Sequence, residues 1–283
     1  MKRRLGFCSL GVLALRVLAL ASAFTAGFAA PAAPYKLIAH RGGVVEDKLP
    51  DNSAAALKAA VARGYWMLEV DIRETKDGIL VMQHDPDLML NFADPRRIFE
   101  TPFADLTSLR TKIAAQSIQK FEELVQAAKA AGLRLMLDSK DPHSPDFPRK
   151  VEAILEKHGM VGSCYIIGTG DAMSHFTGKA LVGLKYRSLR PRLEADPGLK
   201  EKYFLFDEGR TLTAEMITWA LARGVKVVPS INGYHYYDPK TMAGKTYAEL
   251  APLILPQARR HIEAFKALGV VEFQIDSEFD GWF

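Results

Sequence analysis

The stretch from Glu69 to Asp85 combines residue types that can perform acid/base and metal chemistry. Glu69 and Asp71 stand two residues apart, and alternate side chains of a strand lie on one face, so both carboxylates point the same way. Asp77 and Gly78 predict a two-residue hairpin turn, which would pair Asp71 with His84. The hairpin would therefore return an imidazole to the two carboxylates. An ordinary charged surface hairpin is the alternative interpretation.

Two further predicted strands end in residues of matching chemistry. One apolar strand ends in His40 and Arg41, and another ends in Asp138, with Lys140 two residues later. An arginine and a lysine can offset the charge of a phosphate, and two imidazoles can exchange protons with an attacking and a leaving oxygen. This set of side chains suits the cleavage of a phosphodiester.

The three carboxylates, Glu69, Asp71 and Asp138, are hard oxygen ligands. Such ligands favour Ca²⁺ or Mg²⁺, and neither a cysteine nor a compact histidine cluster accompanies these carboxylates to favour zinc. The expected cofactor is therefore a divalent Ca²⁺ or Mg²⁺ ion.

Strand and helix patterns alternate along the chain and predict an α/β fold. Eight candidate parallel strands begin near Leu37, Met67, Leu133, Cys164, Leu181, Tyr203, Val225 and Val271. Eight βα units in about 250 residues predict a TIM (β/α)8 barrel, here with a small β-hairpin inserted after the second strand. A doubly wound sheet is the alternative, but no Gly-x-Gly-x-x-Gly follows the first strand. In a barrel the strand ends share one face, so the candidate residues would converge there.

Apolar periodicity and capping residues predict helices between these strands. They cover Ala54 to Arg63, Phe121 to Ala131, 146–158, Leu212 to Arg223, and Ala248 to Leu268 with a break near Pro252 and Pro256. Residues 86–120 are predicted to be irregular.

Residues 1–30 are predicted to be a signal peptide, and residues 35–283 the barrel domain. Three basic residues precede an apolar run from Leu5 to Ala30, which is typical of a secretory signal. Arg16 interrupts the run and argues against a stable membrane span, although a retained anchor is the alternative. The expected location is periplasmic or secreted.

The net charge of +4 follows from this segment. Cleavage would remove four of the 37 basic residues and no acidic one, leaving 33 against 33. No basic patch interleaved with aromatic residues follows, so nucleic acid is not an expected partner. Cys164 would be the one remaining cysteine, and its apolar surroundings predict a buried structural thiol.

Several motifs resemble the glycerophosphodiester phosphodiesterase family. They are His40-Arg41-Gly42-Gly43, Pro50-Asp51-Asn52-Ser53, Glu69-Val-Asp71, Lys76-Asp77-Gly78 and His84-Asp85. The resemblance implies a TIM barrel that holds a divalent metal and cleaves phosphodiesters with paired histidines. It assigns metal binding to Glu69, Asp71 and Asp138, catalysis to His40 and His84, and substrate binding to Arg41 and Lys140.

Two departures from the family pattern leave the substrate open. The third acid stands in Asp138-Ser139-Lys140, a form similar to the sphingomyelinase D-like branch, where the family usually has Glu-x-Lys. The segment after Asp85 lacks the family's usual cover over the site. The expected substrate is a glycerophosphodiester, with a lysolipid or sphingolipid cleaved in a phospholipase D-like manner as the alternative. An exported protein that binds phosphodiesters without cleaving them is a third possibility.

The loop that begins at Asn232 opens a connection of roughly forty residues before the last strand. Long loops at the catalytic face commonly set specificity. Its tyrosines, Tyr234, Tyr236 and Tyr237, could stack on a ligand or pack a lid, and His235 is expected to be solvated.

Overall fold

Eight parallel strands close into a barrel, because the first strand pairs with both the second and the last. This computed structural model describes residues 35–45, 49–140, 144–237, 244 and 247–283, so the predicted signal peptide and the linker after it lie outside the described residues. The strands are β1 (Lys36–Ala39), β2 (Met67–Glu74), β3 (Leu80–Met82), β4 (Asp87–Leu88), β5 (Asp94–Arg97), β6 (Arg134–Ser139), β7 (Tyr165–Gly168), β8 (Leu181–Leu184), β9 (Tyr203–Glu208), β10 (Val227–Ile231) and β11 (Glu272–Ile275). Strand β3 runs antiparallel to β2, and β4 and β5 form a separate small sheet. The predicted TIM barrel is confirmed.

Helices follow the barrel strands as the fold requires. They are α1 (Ala54–Ala62), α2 (Met89–Phe92), α3 (Phe103–Leu106), α4 (Phe121–Ala130), α5 (Phe147–Lys157), α6 (Gly170–Phe176), α7 (Tyr186–Ala195), α8 (Ala214–Leu221) and α9 (Tyr247–Ala267). The five long helices expected from the sequence are present, whereas α6 and α7 were not predicted. The segment predicted to be irregular, residues 86–120, contains α2, α3, β4 and β5. Among the described residues, no helix combines the length and apolar content needed to cross a membrane.

The predicted break in the last helix is wrong. Helix α9 continues through Pro252 and Pro256. Its buried residues Leu250, Ile254 and Ala258 recur every four positions and pack in the core. This tertiary packing stabilises the helix against the loss of the prolines' N–H groups.

Strand alternation separates the barrel interior from the layer beneath the helices. Met67 on β2 and Met136 on β6 belong to an apolar cluster that also contains Ile38, Tyr165, Ile167, Phe204 and Val228. Leu68 and Val70, which alternate with Met67, pack in the larger core that includes the helices. Since side chains repeat every second residue, the face of Met67 continues upward to the carboxylates of β2.

The hairpin that extends β2 has a different register from the predicted one. Glu74 pairs with Leu80, and Thr75 N donates to the carbonyl of Ile79, so the loop holds three residues rather than two. The Thr75 hydroxyl accepts the N–H of Ile79, and Gly78 takes a φ of +81°, as expected of a three-residue loop that ends in a left-handed residue. The direct pairing of Asp71 with His84 is therefore wrong, because Gln83 donates to the Asp71 carbonyl instead.

Residues 83–120, called the insertion below, connect this hairpin to α4. They carry the small sheet and a separate apolar cluster, whose buried members are Val81, Leu88, Ile98, Leu106 and Ile118. Because the insertion leaves the carboxyl-terminal side of β2, it lies beside the barrel mouth.

Candidate active site

Three carboxylates converge at the carboxyl ends of β2 and β6. Asp71 is the register partner of Asp138 across the two strands, and Glu69 lies one pleat below on the same face. One carboxylate oxygen from each of the three lies within 4.8 Å of the others. Gly168 at the end of β7 leaves room for them, because a Cβ there would lie 2.6 Å from an oxygen of Asp138. The carboxylate cluster expected from the sequence is therefore formed.

Because its carboxylates are buried, this cluster requires nearby positive charge to stay ionised. Glu69 and Asp71 are each 1% exposed. Burial, together with the neighbouring Asp71 carboxylate, raises the pKa of Glu69 to about 8. Burial also raises the pKa of Asp138, and the nearby Lys140 only partly opposes it. A set of hard oxygen donors that burial disfavours in its charged form fits a divalent cation such as Ca²⁺ or Mg²⁺.

Lys140 reaches into the cluster from the next turn beyond β6. Its Nζ lies 3.0 Å from Asp71 Oδ1 and 2.5 Å from Asp138 Oδ2. Burial alone would lower the pKa of Lys140, but the carboxylates of Asp71 and Asp138 outweigh it and raise that pKa. Likewise, burial would raise the pKa of Asp71, but the Lys140 ammonium holds it below its usual range. The lysine thus stays charged, as binding to a phosphate requires.

His40 is oriented by a carboxylate that the sequence analysis did not single out. Its Nδ1 lies 2.5 Å from Asp276 Oδ1, and its Nε2 lies 3.9 Å from Glu69 Oε2. The other Asp276 oxygen accepts the N–H of Gly233 at 2.6 Å. Burial would lower the pKa of His40, but Asp276 outweighs it and raises that pKa. The imidazole therefore presents Nε2 toward the carboxylate cluster.

Arg41 lies in a strained turn directly after β1. It takes left-handed angles, with a φ of +55°, and its backbone N–H donates to Glu69 Oε2 at 2.8 Å. The guanidinium donates to Asp51 at 3.3 Å, while its buried Nε has no hydrogen-bond partner among the described residues. Strained backbone of this kind recurs at functional sites. The side chain as a whole is 27% exposed, so its accessible N–H groups could donate to a phosphate oxygen.

The glycines after Arg41 allow close packing against the start of α1. A Cβ on Gly43 would lie 2.2 Å from the carbonyl oxygen of Ala56, and one on Gly42 would lie 2.7 Å from the Cα of Asn52. Both glycines thus approach the backbone of the protein's own chain. This packing brings Asn52 to the site.

Asn52, which lies two residues before α1, holds the Asp71 side chain in place. Its Nδ2 donates to Asp71 Oδ2 at 2.8 Å, and its Oδ1 accepts the backbone N–H of Asp71 at 3.1 Å. Ser53 provides the cap of α1 instead, because its hydroxyl accepts the N–H of Ala56. Asn52 thereby fixes the orientation of a candidate metal ligand, as partners of metal ligands commonly do.

His84 stands at the start of the insertion, with its own carboxylate partner. Its Nδ1 lies 2.8 Å from Asp85 Oδ1. The buried Arg73 donates from Nε to the carbonyl of His84 at 2.9 Å and so fixes its backbone. His84 is near enough to lower the pKa values of Asp71 and Asp138. It therefore lies within electrostatic range of the cluster in spite of the changed hairpin register.

A cavity of about 460 Å³ opens beside His40 and Arg41. Its lining includes polar residues, Asp276, Ser277 and Glu278, and largely apolar ones, Val45, Tyr234, Tyr237, Leu250 and Ile254. This mixed lining suits a molecule with a charged centre and a less polar end.

The tyrosines and His235 in the loop after β10 differ in their exposure and in their contacts. Tyr234 is 47% exposed, and its ring centroid lies 6.1 Å from that of His40. Tyr236 is buried, with its hydroxyl 3.2 Å from Nδ1 of His261. His235 is also buried, with Nδ1 3.2 Å from the carbonyl oxygen of Ser230, so its predicted solvation is wrong. Tyr234 and Tyr237 are the two that can contact a ligand.

The segment after Asp85 also reaches the mouth, although it lacks the family's usual residues. Asn91 on α2 donates to Asp51 Oδ1 at 2.6 Å. Asp51 in turn accepts from Arg41. The insertion is thereby attached to the Arg41 side of the site.

The segment that contains these site residues matches a known protein family. The model of the glycerophosphoryl diester phosphodiesterase family matches residues 40–155, which contain all seven candidate residues. The resemblance inferred from the sequence is thus confirmed over this segment.

Two curated relatives match shorter stretches. Glycerophosphodiester phosphodiesterase GDPD6 of Arabidopsis thaliana is 35% identical over 86 residues, which are 28% of this chain and 22% of the relative. The probable glycerophosphodiester phosphodiesterase 2 of Mycobacterium tuberculosis is 31% identical over 103 residues, which are 36% of this chain and 38% of the relative. The matches span well under half the length of these relatives.

A solved structure extends the likeness to the whole barrel. A phosphodiesterase of Oleispira antarctica, in complex with the product sn-glycerol-3-phosphate, superposes with a TM-score of 0.64 at 18% identity. The alignment covers 85% of this chain and 92% of that one. At this identity the likeness concerns the fold.

Proposed function

We propose that this chain, whose residues 40–155 match the model of the glycerophosphoryl diester phosphodiesterase family, hydrolyses a glycerophosphodiester to an alcohol and sn-glycerol 3-phosphate. The observation that carries the proposal is the convergence of three carboxylates and His40, with its Asp276 partner, at one barrel mouth, with His84 close by. The curated relatives bear the name of this activity, and the structural relative was solved with its product.

Glu69, Asp71 and Asp138 would hold a Ca²⁺ or Mg²⁺ ion, which when bound supplies positive charge that polarises a phosphate oxygen. Arg41 and Lys140 would bind the other phosphate oxygens, Arg41 through the exposed part of its guanidinium, which lines the cavity. Charge that develops on phosphate in the transition state would thus meet donors already in place.

The two histidines would divide the proton transfers. One imidazole removes a proton from the nucleophile, which is water or a neighbouring hydroxyl of the substrate. The other protonates the departing alkoxide as its bond to phosphorus breaks. Asp276 and Asp85 would hold the two rings in the tautomer that presents Nε2 to the substrate.

The apolar part of the cavity lining favours one second candidate, a lysophospholipid cleaved in the manner of phospholipase D. Val45, Leu250 and Ile254 could contact the start of an acyl chain beside the phosphate site. Asp138-Ser139-Lys140, which resembles the sphingomyelinase D-like branch, agrees with this candidate. A protein that binds phosphodiesters without cleaving them would need neither His40 nor His84 as an acid or base.

The deciding experiment incubates the pure protein with glycerophosphocholine, glycerophosphoethanolamine and lysophosphatidylcholine, with and without a metal chelator. Release of sn-glycerol 3-phosphate supports the proposal, and release of choline from lysophosphatidylcholine alone supports the second candidate. Binding of these compounds without turnover would leave the binding protein as the remaining interpretation.

Single alanine variants test the proposed roles of the histidines. His40→Ala and His84→Ala should each lower kcat by about 10²–10⁴-fold while changing KM far less. Rates near those of the unmodified protein for both variants across the pH range would assign the two histidines to structure instead.

Export remains part of the proposal, on the strength of the basic and apolar residues 1–30. The mature protein should appear outside the cytoplasm with a new amino terminus near residue 30. An intact amino terminus on a membrane-bound protein would support the retained anchor.

A further inference from the structure

The insertion exposes large apolar side chains beside the barrel mouth. Of the eight large hydrophobic residues exposed in the described part of the chain, five lie on connections at the mouth: Val45, Met89, Leu90, Ile113 and Tyr234. Three of these belong to the insertion, with exposures of 50% for Met89, 54% for Leu90 and 44% for Ile113. Such a one-sided distribution differs from apolar residues scattered singly over a surface.

One hydrogen bond joins the two segments that carry these side chains. The N–H of Lys112 donates to the carbonyl of Asn91 at 2.8 Å. Met89 and Leu90 precede that bond on one segment, and Ile113 follows it on the other. The Asn91 side chain also donates to Asp51, so the apolar residues are connected to the site through a single side chain.

The turn that carries Ile113 is held in a fixed conformation. The Thr111 hydroxyl donates to the Ile113 carbonyl at 2.6 Å and accepts the N–H of Gln116 at 2.8 Å. Ala114 and Ala115, both exposed, take left-handed φ angles of +59° and +48°. Two consecutive residues other than glycine in this conformation cost free energy. The chain thus maintains an exposed apolar tip rather than folding it away.

Two exposed cations, Arg110 and Lys112, precede Ile113 within three residues. Arg110 donates to the carbonyls of Thr107 and Leu109. Within the described part of the chain, neither cation has a carboxylate partner at ion-pair distance. Exposed apolar side chains next to cations without a carboxylate partner match the layering of a bilayer with anionic head groups.

We propose that the insertion docks the barrel mouth onto an anionic lipid surface. Ile113, Met89 and Leu90 enter the interface, while Arg110 and Lys112 contact head-group phosphates. A protein partner would require a larger continuous surface than three side chains and one turn. Docking of this kind would bring the mouth close to lipid-derived molecules, but the binding itself does not depend on the proposed hydrolysis.

Vesicle flotation tests the docking with the purified chain. Vesicles of phosphatidylcholine mixed with phosphatidylglycerol should bind the protein, and vesicles of phosphatidylcholine alone should bind it at least about 5-fold more weakly, since each nearby cation contributes to anionic binding. Ile113→Asp should lower binding to the mixed vesicles roughly 10-fold or more, through loss of a buried apolar side chain. Lys112→Gln should lower it about 5-fold, and added salt should remove this difference.

A matched control comes from the opposite end of the barrel. Val271 is 48% exposed and precedes β11, so Val271→Asp makes the same kind of change away from the mouth and should leave vesicle binding unchanged. A Met89→Ser, Leu90→Ser double variant repeats the test should Ile113→Asp fail to fold. Equal binding by Ile113→Asp and the unmodified protein, or equal loss with Val271→Asp, would overturn the proposal. So would a dimer in solution that Ile113→Asp dissociates.

Discussion

Replacing Asp276 by asparagine tests whether this carboxylate positions His40 for proton transfer. The two side chains have nearly the same size, so the change removes the negative charge with little effect on packing. Asp276 accepts from the N–H of Gly233 through one oxygen and faces His40 Nδ1 through the other. An asparagine can satisfy Gly233 only with its carbonyl oxygen, which turns its NH₂ group toward Nδ1. His40 would then have to accept there, and its proton would move to Nε2.

The magnitude follows from the bond that is lost. A hydrogen bond to a charged group contributes about 1.5–3 kcal/mol, and about 1.4 kcal/mol corresponds to a tenfold change in rate, so kcat/KM should fall about 10–150-fold. KM should change far less, because Asp276 faces the imidazole rather than the carboxylate cluster.

The pH profile gives the sign and identifies the role of His40. Asp276 raises the pKa of His40, so Asp276→Asn should lower it. If His40 acts protonated, as the acid, activity falls above its pKa and the basic limb of the profile moves to lower pH. If His40 acts as the base, the acidic limb moves to lower pH. Asp85→Asn makes the same change at the carboxylate partner of His84 and is therefore the matched control. Unchanged limbs and a kcat/KM within about twofold of the unmodified protein would refute the positioning role.

Three more variants probe the metal ligands and their support. Glu69→Gln should weaken binding of Ca²⁺ or Mg²⁺, and excess metal should restore part of the activity lost after chelation; a titration showing unchanged metal affinity would contradict its role as a ligand. Asn52→Ala removes both hydrogen bonds to Asp71 and should lower metal affinity about 10–100-fold, measured by calorimetry, whereas an effect on stability alone would make Asn52 structural. Gly43→Ala should lower the free energy of unfolding by about 1–3 kcal/mol more than Gly132→Ala does, measured by urea titration. Both glycines have a positive φ, but only the Cβ added at position 43 would contact backbone atoms. Equal losses of stability would show that α1 shifts to make room for the methyl group.

The sequence predicted the barrel and most of its mouth because the relevant signals are local. A carboxylate or histidine directly after an apolar strand is visible without knowledge of the tertiary fold, and this rule found His40 and Asp138. The same rule applies to Asp276, which follows β11 directly. It was missed because its significance depends on barrel closure, which places Ile275 opposite Ala39 in the register of β11 and β1.

Other features depended on choices that a local pattern leaves open. An Asp-Gly pair fits both two- and three-residue loops, and the Thr75 hydroxyl, which accepts from Ile79, selects the longer loop here. Asn52 and Ser53 are equally good caps by residue type, and only the close approach of Gly42 decides which one turns toward Asp71. Packing against neighbouring elements therefore settled what residue type could not.

The site divides into two parts that depend on different regions of the fold. The three candidate metal ligands lie on β2 and β6, adjacent strands with six residue pairs in register. His40, by contrast, is oriented by a carboxylate 236 positions away, which reaches it only when β11 closes the barrel against β1. Loosening of the last strand would release the imidazole and leave the carboxylate cluster formed. In a urea titration, turnover should therefore be lost at a lower urea concentration than metal binding. Asp276→Asn already lacks the carboxylate that orients His40, so its turnover and metal-binding curves should lie closer together. Coincident curves for the unmodified protein would mean that the two parts of the site unfold together.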